Sequence, residues 1–185
     1  TLKKIAEQLD RPDQSYRTLI HTLANLGYKP AADRIAKFTS DERAPIASAA
    51  LSAMYQLTGN EQVMPKILGF LHSTNVNARR GSIQDLIDAG YFRAIPNIAQ
   101  CPVSMVFRLR GIRLLAQPAI ATGELKFSQI QRTLEKVLCD RPSDVALVHT
   151  YQQVPEIDNL IQELYGTDFG RCYLGSLTLL KNYAE

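Results

Sequence analysis

Apolar residues recur along this chain at helical spacing, in segments separated by short polar turns. From Gln62 to Leu71 they fall at 63, 64, 67, 68 and 71, the stripe of an amphipathic helix. Pro65 lies in the first turn, where a missing N–H costs little. Ser73-Thr74-Asn75 then breaks the pattern and can cap a second helix, Ala78 to Ala89, with apolar positions 83, 86, 87 and 89. Gly90 suits the helix-ending position that needs positive φ. One period is therefore a helical hairpin of about 30 residues, too small to bury its apolar face alone.

The hairpin repeats. Arg80-Gly81 and Arg110-Gly111 stand thirty residues apart, Pro65 and Pro96 thirty-one apart, and Gly59 and Gly90 each precede their proline by six. Self-similarity at this period is the signature of a stacked helical array. In chain order, the same reading predicts helices over Leu2 to Leu9, Ser15 to Leu26, Ala31 to Phe38, Ala44 to Leu57 and Ser104 to Ala116. A loop follows from Gln117-Pro118 to Gly123, then helices over Phe127 to Cys139, capped near Ser128, and Asp144 to Gln153. A last hairpin at about 154–183 turns at Gly166-Thr167-Asp168, with Asp168 capping the final helix. No period-two strand pattern occurs. The expectation is one all-α domain over residues 1–185, a right-handed α-solenoid of about six helix pairs. Early proline in the first helix and early arginine in the second make the units resemble HEAT repeats.

Composition narrows the function classes. The 185 residues are 45% hydrophobic and 21% charged, ordinary for a globular protein. No uncharged run is long enough to span a bilayer, and Thr1-Leu2-Lys3-Lys4 begins no signal-peptide stretch, so a soluble, cytoplasmic protein is expected. Three cysteines, odd in number and far apart, fit a reducing compartment. Metal-ligand spacing is absent, and no prosthetic group is expected. A net charge of +3 is too mild to imply nucleic acid.

Two groups of residues can carry chemistry. Arg79, Arg80, Arg108, Arg110 and Arg171 can converge where second helices stack, and guanidinium forks match carboxylates bidentately. The alternative role for such an arginine is an ion pair with an acid of the adjacent unit. The crowded C-terminal run contributes Tyr165 and Tyr173, able to stack on a flat chromophore, Asp168, able to accept from pyrrole-type N–H groups, and Cys172, a possible nucleophile. A cap, packed tyrosines and a buried thiol are the structural alternatives. Placement in a first helical turn beside Arg171 is expected to lower the Cys172 pKa. His149 and Tyr151 are expected on one helix, with no carboxylate brought to them by the sequence.

The runs Asn75-Val76-Asn77-Ala78-Arg79-Arg80-Gly81-Ser82, Ala94-Ile95-Pro96, Phe107-Arg108-Leu109-Arg110-Gly111-Ile112-Arg113 and Thr167-Asp168-Phe169-Gly170-Arg171-Cys172-Tyr173-Leu174 together resemble the F-type subunit of the E/F phycobilin lyases of cyanobacteria. The resemblance implies a HEAT-like subunit, active as a heterodimer with an E-type partner. Such a lyase attaches an open-chain bilin, typically phycocyanobilin, through a thioether to a cysteine of a phycocyanin α subunit, and can detach it. The bilin is substrate rather than cofactor, and the setting is the cytosol where phycobilisomes are assembled. The isomerising branch of the family carries an Asn-His-Cys run, which this chain lacks, so plain attachment is expected. The competing class is a non-catalytic HEAT-type scaffold that binds a partner protein on its concave face.

Overall fold

The computed structural model describes residues 1–183, and these are helical, with no strand among them. In chain order the α-helices are α1 (Leu2–Glu7), α2 (Tyr16–Asn25), α3 (Ala32–Ala36), α4 (Ala44–Thr58), α5 (Met64–Phe70), α6 (Val76–Asp88), α7 (Ile95–Gln100), α8 (Met105–Ala121), α9 (Phe127–Cys139), α10 (Ile157–Leu164) and α11 (Phe169–Asn182). This is the all-α, helical-repeat class that the periodicity predicts. Several first helices are entered through a short 3-10 turn, as at Lys29–Ala31, Glu61–Val63 and Phe92–Ala94.

The chain forms two compact units, Thr1–Phe70 with Gly81–Tyr91, and Leu71–Arg80 with Phe92–Glu185. Helix α6 thus gives its opening residues to the second unit and the remainder to the first. In the first unit, α4 packs against α2, α3 and α5. Ala49, Ala50 and Ala53 are fully buried there among Ile20, Leu23 and Ile35. Alanine at successive buried positions lets the neighbouring helices approach α4 closely. Pro45 opens α4, and Gly59 closes it in the left-handed region, at φ +72°, where a Cβ would be strained.

In the second unit, α7 packs on α8 and α9, and α10 pairs with α11. Ile95, Ile98, Ile112, Leu115, Val137 and Leu160 are buried. The last hairpin lies where the pattern places it, with Asp168 accepting from the Gly170 amide (2.9 Å) as the cap of α11.

Two expected elements differ. Helix α8 continues through Pro118 to Ala121 instead of looping at Gln117. The proline removes one backbone bond, but Leu115, Ala116 and Ala119 are buried along the same stripe, and the helix ends within a turn, where Thr122 Oγ1 donates to the Pro118 and Ala119 carbonyls (both 3.2 Å). The second difference is the stretch after Asp144, which is not helical. Val145, Val148, Thr150 and Val154 are β-branched and disfavour a helix, and Pro155 pushes residue 154 away from the helical region. Val145 is buried, and the Ala146 amide donates to the Gln100 carbonyl (2.8 Å), which holds this segment on α7. The cap of α9 is also displaced: Gln129 accepts from the Lys126 amide (2.7 Å), ahead of Ser128.

Candidate functional site

The second unit is built around two buried arginines at the same helical position. Arg79 and Arg108 are each the fourth residue of their helix, α6 and α8, and both side chains are fully buried. Each satisfies part of its guanidinium on local carbonyls. Arg79 donates to Ser73 (2.7 Å) and Pro102 (3.2 Å), and Arg108 donates to Ala99 (3.0 Å). Each then pairs with an aspartate at a helix end: Arg79 with Asp168, which caps α11, and Arg108 with Asp140, which closes α9 in the left-handed region.

Around the Arg79–Asp168 pair, His149 Nε2 meets Asp168 Oδ2 at 3.1 Å. The carboxylate that the sequence did not bring to His149 is therefore the α11 cap. Gly170 permits this arrangement, because a Cβ there would lie 3.1 Å from Asp168 Oδ1, 3.2 Å from the Arg79 guanidinium and 3.3 Å from the His149 ring. Burial pushes the Asp168 pKa up, but the Arg79 charge, the Gly170 amide and His149 outweigh it and hold the carboxyl below its ordinary 3.8. Around the second pair, Tyr173 is buried; its hydroxyl donates to Asp140 (2.7 Å) and accepts from Arg108 (2.8 Å). Burial and the Asp140 bond raise its pKa.

A third group joins the non-helical segment to the last hairpin. Tyr151 donates to Glu163, which also accepts from the half-exposed Arg171 (3.3 Å). Cys172 lies beneath, with its thiol near the Glu163 (3.2 Å) and Gly166 (3.5 Å) carbonyls. Burial raises the Cys172 pKa, assisted by Asp168 and Glu163. The lowering expected from the first-turn position fails because burial outweighs it, with both nearby acids adding to the rise. Arg80 reaches the Thr167 carbonyl at 3.4 Å, Arg110 is exposed, and Tyr165 is 86% exposed.

The structure thus brings Arg79, Arg80 and Asp168 together, and separately Arg108 and Tyr173. Arg110 and Tyr165 join neither group. The residues sequence reasoning missed are Asp140, His149 as a partner of Asp168, and the Tyr151–Glu163 pair. Asp140 carried a usable signal, since an Asp-Arg-Pro break after a helix marks a carboxylate at a helix end. The Arg-Gly repeat also set Arg80 against Arg110, whereas the side chains with matching roles are Arg79 and Arg108.

The first unit has its own charged cluster. Asp85, fully buried on α6, accepts from both terminal nitrogens of Arg17 (3.1 and 2.6 Å) and meets His21 Nε2 (3.1 Å). His21 Nδ1 lies 3.6 Å from Asp88. These residues have the composition of a metal site, but the Arg17 fork already neutralises Asp85, so the group reads as an ion-pair network.

No family model matches the chain. It is 53% identical over 184 residues, its whole length, to the "Uncharacterized phycocyanin operon protein Y" of Pseudanabaena tenuis, of which it covers 44%. It is 34% identical over 163 residues (85% of this chain, 37% of the relative) to the bilin biosynthesis protein CpeY of a Synechococcus strain. Over 96 residues (52% of this chain, 35% of the relative) it is 33% identical to the phycocyanobilin lyase subunit alpha of Thermosynechococcus vestitus. The chain spans less than half the length of these relatives. No helix of the described residues is long and apolar enough to cross a membrane.

Proposed function

We propose that this chain is part of a bilin lyase that joins phycocyanobilin to a cysteine of a phycocyanin α subunit, acting with a second lyase subunit in the cytosol where phycobilisomes are assembled. The observation that carries the reading is the similarity to a bilin biosynthesis protein across 85% of the chain. The reaction is redox-neutral. The acceptor S–H adds across the bilin ethylidene double bond, so a C–S bond forms, the S–H bond breaks and the proton ends on ring carbon; detachment is the reverse. Such an addition needs bilin and thiol held in register more than it needs a strong catalyst. In this reading the solvent-facing Arg80, Arg110, Arg171 and Tyr165 meet the bilin, while Arg79, Arg108, Tyr173 and Asp168 hold the framework behind them. Cys172 is a nucleophile only if its hairpin opens.

The resemblance points to an F-type subunit, whereas two relatives carry the name subunit alpha. The decisive experiment therefore co-expresses this chain with an E-type or an F-type partner, a bilin source and a phycocyanin α subunit, and scores covalent fluorescence on a denaturing gel. A fluorescent α band that requires this chain and one partner supports the reading and identifies which partner. No band, with the partner bound and pigment made, favours the scaffold. That reading draws on an open apolar groove of about 330 Å³ between α8 and α9, lined by Leu109, Ile112, Ile120, Phe127 and Leu134, a surface suited to a partner helix.

A further inference from the structure

In the first unit, one face of α4 is covered by the helix that follows α5. Ser48 and Ser52, the fifth and ninth residues of α4, bond to the Ser82 hydroxyl (3.3 Å) and the Asp85 carbonyl (2.8 Å) of α6. The fifth and ninth residues of α8 are Leu109 and Arg113, and both line the open groove between α8 and α9. In a regular array a second helix would follow α9 as α6 follows α5. No α-helix lies between Cys139 and Ile157, and this face of α8 stays uncovered.

Of the nine residues that line the groove, only Arg113 and Gln117 are polar. Ile112 and Ile130 are its buried part, whereas Phe127 is 57% exposed. Leu138, also exposed, stands one turn beyond Leu134 and lengthens the apolar stripe of α9. Backbone laid on such a lining finds almost no hydrogen-bond partner, so an occupant has to satisfy its own N–H and C=O groups. A helix does so and an extended segment does not. The stripe from Leu109 to Ile120 runs about 16 Å at the helical rise, room for three turns of a helix packed alongside.

Charge distinguishes the two walls. Arg113 is exposed on the α8 side and makes no ion pair among the described residues. On the exposed flank of α9, Glu135 accepts from Gln131 (2.9 Å). The unmatched charge of the groove is therefore positive and lies along α8. We propose that this groove docks an amphipathic helix of a partner protein, with its apolar stripe between α8 and α9 and a carboxylate of its flank on Arg113. The docking site does not depend on the lyase reading.

The test titrates the full chain with a labelled synthetic peptide of about 18 residues, long enough to hold a helix, and follows fluorescence anisotropy. The peptide has leucines at i, i+3, i+4 and i+7 spacing and glutamates along one flank. A sister peptide has lysines in place of the glutamates, and a third has the same composition with its leucines in strict alternation. The glutamate peptide is expected to bind one per chain, the lysine peptide about tenfold more weakly, and the alternating peptide not at all. Arg113→Glu is expected to invert the order of the first two, and Phe127→Asp to remove binding. Both side chains are exposed, and circular dichroism checks that each variant keeps its helix. No binding of the glutamate peptide, equal binding of the glutamate and lysine peptides, or binding that survives Phe127→Asp overturns the proposal. So does displacement of the peptide by phycocyanobilin, which gives the groove to the pigment. Dimerisation of the chain in sedimentation, abolished by Phe127→Asp, gives the groove to a second copy and overturns it as well.

Discussion

The two units solve one problem, a buried arginine–aspartate pair with a histidine alongside, with opposite burial. In the first, the acid is inside: the Asp85 side chain is 0% exposed and Arg17 is 30% exposed. In the second, the base is inside: the Arg79 side chain is 0% exposed and Asp168 is 21% exposed. The difference matters because an ion pair holds most of its energy in the partner that cannot rehydrate. Removing the outer partner strands a buried charge, whereas removing the inner one frees a group that water can reach. The first unit is therefore most vulnerable at its arginine and the second at its aspartate. The second arrangement also leaves its acids at helix ends, close to solvent.

The largest expected effect comes from breaking the second pair. Asp168→Ala strands Arg79, removes the partner of His149 and uncaps α11. Losing the counterion of a buried charge costs about 3–5 kcal/mol, and the cap contributes about 1 kcal/mol more. Asp168→Asn keeps a capping oxygen and is expected to lose less. Urea unfolding followed by circular dichroism measures both, and an Asp168→Ala loss under about 1 kcal/mol would remove the pair from the list of stabilising features. The pH dependence follows from the depressed carboxyl. Its contribution is present above the ordinary value of 3.8 and is lost as pH falls through the lower folded value, so the advantage of wild type over Asp168→Asn shrinks in acid.

In the first unit the asymmetry reverses. Arg17→Met leaves Asp85 buried with the His21 ring beside it, and also removes donors from the Pro45 and Gly81 carbonyls. We expect a loss of about 2 kcal/mol, below the buried-pair range because Arg17 is already partly hydrated. The sharper test is the double variant Arg17→Met/Asp85→Asn, which removes the stranded charge and should recover part of the loss. A double variant less stable than Arg17→Met would show that Asp85 is not the uncompensated group, and the comparison between the units would fall.

Much of the helical framework was legible because it depends on local signals. Pro45 and Gly59 bracket α4, Asp168 caps α11, and the apolar stripes of α5 and α9 give their spans within a few residues. The arginines were half legible. Arg79 and Arg108 stood among the candidates near the repeated Arg-Gly steps, but whether each turns inward or toward solvent depends on the acid that meets it, and those acids lie far along the chain at 168 and 140. His149 was misread for a related reason. Its segment has a short polar–apolar mix compatible with a helix, and long-range contacts (the packing of Val145, the Ala146–Gln100 bond, His149 on Asp168 and Tyr151 on Glu163) hold it out of one. Burial at the ends of long-range contacts leaves no periodic trace in a sequence.

The smallest expected effect addresses the second unit alone, because all three cysteines lie in it. Cys139 is exposed at the end of α9. Cys101 is buried with its thiol close to the Leu71 carbonyl (3.4 Å), and burial pushes its pKa up to about 12 despite the Arg79 and Arg108 charges. Cys172 is buried and raised as well, and the thiolate is the reactive form. At neutral pH a disulfide reagent should therefore modify one thiol per chain quickly, and Cys139→Ser should abolish that phase while changing stability by under about 0.5 kcal/mol. A second fast thiol, removed by Cys172→Ser, would mean that the last hairpin opens around Glu163 and Gly166. Cys172 would then regain its standing as a nucleophile, and the buried Arg79 pair would be anchored to a moving cap, making the second unit the more labile of the two.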